Sequence, residues 1–98
     1  MHSKELPFLS IVVPAFNEAQ SLRELLLGLE KKLGHSKTGY EVVFINDGST
    51  DTTRQVLTEL QKKSRIPITT VTLRKRSGKS TALAVGFEQV KGDIIVTL

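Results

Sequence analysis

Ninety-eight residues, 39% of them apolar and 24% charged, specify one globular domain and exclude a disordered chain. The absence of cysteine excludes disulfide frameworks, thiolate nucleophiles and cysteine zinc sites, and no apolar run approaches the roughly 20 residues that cross a bilayer. A net charge of +4 gives a mild bias toward anionic partners without saying which anion.

The chain opens with Met1-His2-Ser3-Lys4-Glu5, which lacks the basic-then-apolar order of a secretory signal, so a cytoplasmic location is expected. Leu9 to Val13 is a β-branched run stopped by Pro14, the pattern of a buried strand. Leu22, Leu25, Leu26, Leu29 and Leu33 then fall on one face of a helix, with Asn17 as expected N-cap, Gln20 at the capping-box distance and Gly34 as stop.

Glu41 to Asn46 reads as a second buried strand, and Asp47-Gly48-Ser49-Thr50 as the turn leaving it. Ser49 or Thr50 is the expected cap of a helix carrying Val56, Leu57 and Leu60. Pro67 bars further helix, and Ile68 to Leu73 forms a third strand. Arg74-Lys75-Arg76 leads into a third helix with Leu83, Ala84, Phe87 and Val90 expected inside and Gly92 as its end. Asp93 to Leu98 is the fourth strand.

The order β-α-β-α-β-α-β with near-continuously apolar strands predicts an α/β fold, a Rossmann-like parallel sheet with helices on both faces. Right-handed crossovers make its strand order 3-2-1-4. Strands one and four then leave the sheet in opposite directions, and ligands bind in such a crevice at the carboxyl ends of the strands. The unusual polar segments, Pro14 to Glu18, Asp47 to Ser49 and Arg74 to Lys79, all fall at those ends.

Pro14-Ala15-Phe16-Asn17-Glu18 holds no glycine, which argues against a dinucleotide-cradling turn. Glu18 is suited to accept ribose hydroxyls, although a carboxylate in a first helical turn is also favoured by the helix dipole alone. Asp47 beside Gly48 is suited to accept from the imino N–H of uracil or from the N1–H and amine of guanine; Asp-Gly is equally a common turn dipeptide. Gly78-Lys79-Ser80 is not a phosphate-binding P-loop, because that motif needs a glycine where Leu73 stands. Lys79 at a helix start, beside Arg74 and Arg76, still suits a diphosphate by charge and by amide N–H groups, though an isolated basic run is commonly a solvated surface. His2, His35 and Asp93 have no metal-ligand or catalytic spacing. Nucleic acid is disfavoured as a partner, since 5% aromatic residues make no stacking platform.

Ser10-Ile-Val-Val-Pro-Ala-Phe-Asn-Glu18, Phe44-Ile-Asn-Asp-Gly-Ser-Thr-Asp51, and Gly78-Lys-Ser-Thr-Ala-Leu-Ala-Val-Gly86 followed by Gly92-Asp-Ile-Ile95 jointly resemble the family 2 glycosyltransferases, inverting enzymes of the GT-A fold. The similarity runs from about Leu9 to the last residue, leaving residues 1–8 as an extension. The third segment looks most like the subgroup that passes a hexose from a nucleotide sugar to a polyprenyl phosphate. The resemblance implies nucleotide-binding roles for Pro14, Ala15, Phe16 and Glu18, for Asp47 with Gly48 and Ser49, and for Lys79. It places Glu18 near the ribose, Asp47 on the base, and Lys79 in the segment lining the base and ribose.

The resemblance also implies a UDP- or GDP-sugar donor and a divalent metal, Mg or Mn, held by an Asp-X-Asp motif that would follow Leu98. The ligands of that metal, the catalytic base and the acceptor site are therefore expected outside these residues, so that the chain is the nucleotide-binding half and inactive alone. A membrane-associated parent on the cytoplasmic face follows from the lipid acceptor. Strand four, as an open apolar edge, is expected to drive self-association. A non-catalytic interaction module using that edge and the basic loop is the alternative function.

Overall fold

Seven elements alternate along the chain: β1 (Leu9–Ala15), α1 (Ala19–Leu33), β2 (Tyr40–Asp47), α2 (Thr53–Lys63), β3 (Ile68–Leu73), α3 (Lys79–Gln89) and β4 (Ile94–Thr97). They are seen in a computed structural model that describes residues 8–33, 39–48 and 52–98. The strands form one sheet in the order β3-β2-β1-β4, and every pair is parallel. This is the expected arrangement.

Alternation along the strands divides the core into two layers. Ile11, Val13, Ala15, Val42 and Phe44 face α1 and α2, where Leu22, Leu26, Val56 and Leu57 cover them. Val12, Val43 and Ile45 face the other way and pack on Ala82 of α3. Helices thus cover both faces, and the helical stripe Leu22, Leu25, Leu26, Leu29 and Leu33 turns inward as its spacing requires.

Pro14 does not end β1; the strand continues to Ala15, with Pro14 opposite Ile45. The N–H of Ile94 donates to the carbonyl of Phe8 and that of Leu98 to the carbonyl of Val12, so even-numbered positions of β1 face β4. That ladder ends at Val12 and Thr97, so the donor Pro14 lacks has no strand opposite it.

Asn17 is not the cap of α1. It adopts a positive φ of 50° in the turn, and the Glu18 carbonyl accepts the first helical bond, from Leu22. The cap of α2 is Thr52, with no side-chain cap bond; Ser49 and Thr50 lie outside the described residues, as do Gly34, His2 and His35.

The inner face of α3 is also shifted. Ala82 and Gly86 are buried, whereas Ala84 and Phe87 are exposed. A Cβ on Gly86 would lie 2.6 Å from Val12 Cγ1, so only the smallest side chains fit between this helix and the sheet. The helix ends at Gln89, before Gly92. Gly92 serves a close approach: a Cβ there would fall 2.5 Å from Ser10 Oγ and 2.7 Å from the Phe8 carbonyl.

That approach closes the amino-terminal end of the sheet. Buried Glu41 Oε2 accepts from Ser10 Oγ at 2.6 Å and from the Lys91 N–H at 2.8 Å, while Ser10 Oγ accepts the Gly92 N–H at 2.8 Å. Asp93 and Phe8 exchange two bonds, N–H to carboxylate and N–H to carbonyl. Asp93 is therefore a turn residue far from the carboxyl ends, as expected.

Candidate functional site

At the carboxyl ends of β1, β2 and β4 lies an open pocket of about 350 Å³, lined by Pro14, Ala15, Phe16, Glu18, Asp47, Arg76, Lys79 and Leu98. It opens where β1 leads to α1 on one face and β3 leads to α3 on the other, beside the β1–β4 switch point. The sequence-predicted residues Pro14, Ala15, Phe16, Glu18, Asp47 and Lys79 are thus brought together. Gly48 is not in the lining, and Ser49 is outside the described residues.

Glu18 sits where strand gives way to helix. Its Oε1 accepts the Phe16 N–H at 3.2 Å, and its own N–H donates to Thr53 Oγ1 at 3.2 Å, which ties the β1–α1 turn to the start of α2. Asp47, only 4% exposed, ends β2. Its Oδ1 accepts the Ser77 N–H at 2.7 Å and its Oδ2 the Gly78 N–H at 3.0 Å. Two amides expected to be available at the start of α3 are therefore already used by this carboxylate.

Gly48 has a φ of +70°, and its α-carbon faces the backbone of the basic loop: a Cβ would collide with the Arg76 nitrogen and lie 2.5 Å from the Lys75 carbonyl carbon. The glycine lets β2 and the β3–α3 loop meet backbone to backbone. Past that contact, Arg76 places its guanidinium carbon 3.9 Å from the centroid of the Phe16 ring.

Arg76 and Leu98 also belong to the pocket: the sequence points to Arg76 as a basic neighbour of Lys79 suited to a diphosphate, and it gives Leu98 no nucleotide role. Arg76 was legible only as one member of a basic run, since sequence does not say which of Arg74, Lys75 and Arg76 turns inward. Leu98 had a clearer signal, because the end of strand four must border the crevice of a 3-2-1-4 sheet.

Chemically the pocket joins an aromatic face, two carboxylates and two cations. Among the described residues no three His, Cys, Asp or Glu side chains converge as metal ligands, and both Asp47 oxygens are turned to backbone N–H groups. The described residues do not fit the divalent metal implied by the resemblance. No described helix is long and apolar enough to cross a membrane.

The chain aligns over its full length, at 39% identity, with 29% of an undecaprenyl-phosphate 4-deoxy-4-formamido-L-arabinose transferase from Pseudomonas savastanoi pv. phaseolicola. A protein of the same name from Edwardsiella ictaluri is 34% identical over 97% of the chain and 29% of its own length. Among solved structures, the mannosyltransferase PcManGT from Pyrobaculum calidifontis, in complex with GDP-Man and Mn2+, superposes with a TM-score of 0.82 at 26% identity, over 94% of this chain and 27% of that one. S. aureus TarS 1-349 in complex with UDP superposes with a TM-score of 0.77 at 29% identity, over 92% of this chain and 26% of that one. The chain thus spans less than a third of the relatives it matches. The model of glycosyl transferase family 2 matches residues 10–98, and the chain belongs to that family.

Proposed function

We propose that this chain binds the nucleoside diphosphate of a UDP- or GDP-sugar, as the donor-binding part of an enzyme that transfers a hexose to a polyprenyl phosphate. The observation that carries this reading is the composition of one pocket at the switch point: Phe16, Glu18, Asp47, Arg76 and Lys79. Phe16, with Arg76 on one face of its ring, supplies an apolar border for a planar base, Asp47 an acceptor for a base N–H, and Glu18 an acceptor for ribose hydroxyls. Arg76 and Lys79 supply positive charge for the diphosphate.

The named relatives act on undecaprenyl phosphate, and two structural neighbours hold GDP-Man or UDP, which supports both the donor class and a lipid acceptor. With a lipid acceptor the intact protein would work at a membrane surface, on the cytoplasmic face by this reading. This reading gives residues 1–98 donor binding alone; transfer also requires a metal and a base, and among the described residues no three side chains converge as metal ligands.

The test is an amide NMR titration of the chain with UDP, then GDP, each with and without magnesium. Shifts clustered at Phe16, Glu18, Asp47 and Lys79, stronger for one nucleotide, support the reading and name the base. Unchanged spectra with both nucleotides overturn it.

A second reading is favoured by β4. Ile94, Ile95, Val96 and Leu98 are 46%, 44%, 38% and 49% exposed, and among the described residues β4 pairs with β1 alone. Such an edge accepts another strand, so two copies of this chain would associate through it.

A further inference from the structure

We infer that Asp47 is a positioning residue for Arg76 and Lys79, with Gly48 as the seat on which their loop rests. This deepens the nucleotide reading and depends on it only for what the two cations hold.

Three independent features converge on the loop between β3 and α3. Both oxygens of a nearly buried carboxylate bind its consecutive amides at Ser77 and Gly78. Such charge-assisted bonds are about twice as strong as neutral ones. The adjoining Gly48 has no room for a Cβ against Lys75 and Arg76, and its φ of +70° is one that other residues rarely adopt. Gly78, at φ +94°, turns the chain into α3 immediately before Lys79. The backbone flanking Arg76 and leading into Lys79 is therefore pinned to the end of β2.

Arg76 is exposed and carries no ion pair among those described; what holds its guanidinium on Phe16 is the placement of its backbone. Asp47 thus has two tasks that pull on the same atoms. A base N–H arriving at the carboxylate must share it with Ser77 and Gly78, so base recognition and cation placement are linked through one side chain. It follows that loss of nucleotide binding on removing Asp47 does not by itself identify a base contact.

The experiment separates the two tasks with Gly48→Ala, which keeps the carboxylate and disturbs the loop, and Asp47→Asn, which keeps the shape and sets an amide NH2 against a backbone N–H. The ligand-free readout is the upfield ring-current shift of the Arg76 side-chain resonances, with Phe16→Leu marking zero shift. The binding readouts are inorganic pyrophosphate, uridine and guanosine by calorimetry.

Both variants are expected to lose most of the Arg76 shift and to bind pyrophosphate tenfold or more weakly. An unchanged Arg76 shift in both variants overturns the inference, even where the melting temperature falls or nucleoside binding is lost. Should Gly48→Ala fail to fold, Asp47→Asn decides alone. Should the unaltered chain bind neither pyrophosphate nor nucleoside, the nucleotide reading fails while the Arg76 shift still decides the positioning role.

Discussion

The guanidinium of Arg76 lies 3.9 Å from the ring centroid of Phe16, so a residue from the loop after β3 covers one from the turn after β1. The two belong to segments joined to opposite layers, α3 and α1, and they meet only at the carboxyl end of the sheet. An exposed cation–π pair is worth about 0.5–1 kcal/mol. Arg76→Ala removes that contact and one of the pocket's two cations. Affinity for UDP or GDP by calorimetry is expected to fall by about 1 kcal/mol, roughly fivefold, while the fold stays intact by circular dichroism.

Gly86 decides how closely α3 approaches the sheet. Alanine would gain about 1 kcal/mol of helix propensity there. Against that stands a Cβ 2.6 Å from Val12 Cγ1 and 3.3 Å from Ile45 Cγ1, both fully buried and β-branched, so neither yields easily. Overpacking costs about 1–3 kcal/mol, and we expect it to win. Urea unfolding of Gly86→Ala should show a lower midpoint; a higher one would mean the helix can lift at little cost.

Glu41 holds the turn between α3 and β4 at the end of the sheet remote from the pocket. Glu41→Ala leaves the Lys91 N–H and the Ser10 hydroxyl without their acceptor, a loss of about 2 kcal/mol. The damage should be local, because β4 pairs only with β1 among the described strands. Hydrogen exchange is expected to speed up at Ile94 to Thr97 more than in β2. Uniform acceleration through the sheet would instead mark global unfolding.

Glu59 of α2 accepts from Arg23 Nη2 of α1, which links the two helices, and from Lys63 Nζ one turn along its own helix, each at 3.2 Å. The Lys63 hydrogen bond is the largest cause of a carboxyl pKa below the ordinary glutamate value, followed by the Lys63 charge and then Arg23. A pKa depressed on folding adds stability above the unfolded value, and that stability is lost as pH falls through the folded one. The site is solvent-exposed, so the contribution is small and screened by salt. An NMR titration should place the Glu59 carboxyl low at low ionic strength and return it toward normal in molar salt.

Self-association through β4 predicts a dimer whose fraction grows with concentration in sedimentation velocity. Ile95→Lys, a charge on the edge strand, is expected to return the chain to monomer. A monomer at high concentration before any substitution would remove this reading.

Periodicity along the chain determined the elements, pointed to the strand order and marked the end of the sheet at which the polar pocket lies. These follow from local patterns: β-branched runs at Leu9 and Glu41, leucines on one helical face, and handed crossovers that favour the order 3-2-1-4. The residues lining the crevice were largely legible for the same reason, since Pro14, Phe16, Glu18, Asp47 and Lys79 all lie at strand ends or in the segments that follow them.

Tertiary structure alone decided what each of them touches. Pro14 could continue its strand because β4 has already ended beside it, and Phe87 is exposed because α3 meets the sheet through Ala82 and Gly86. Asp47 looked from sequence like a base contact or a turn residue, and its partners Ser77 and Gly78 lie 30 and 31 residues away. Local pattern fixes the period of a helix or strand, because that depends on near neighbours in the chain. Which backbone amide reaches a given oxygen depends on how two loops from different crossovers meet, and no local period encodes that.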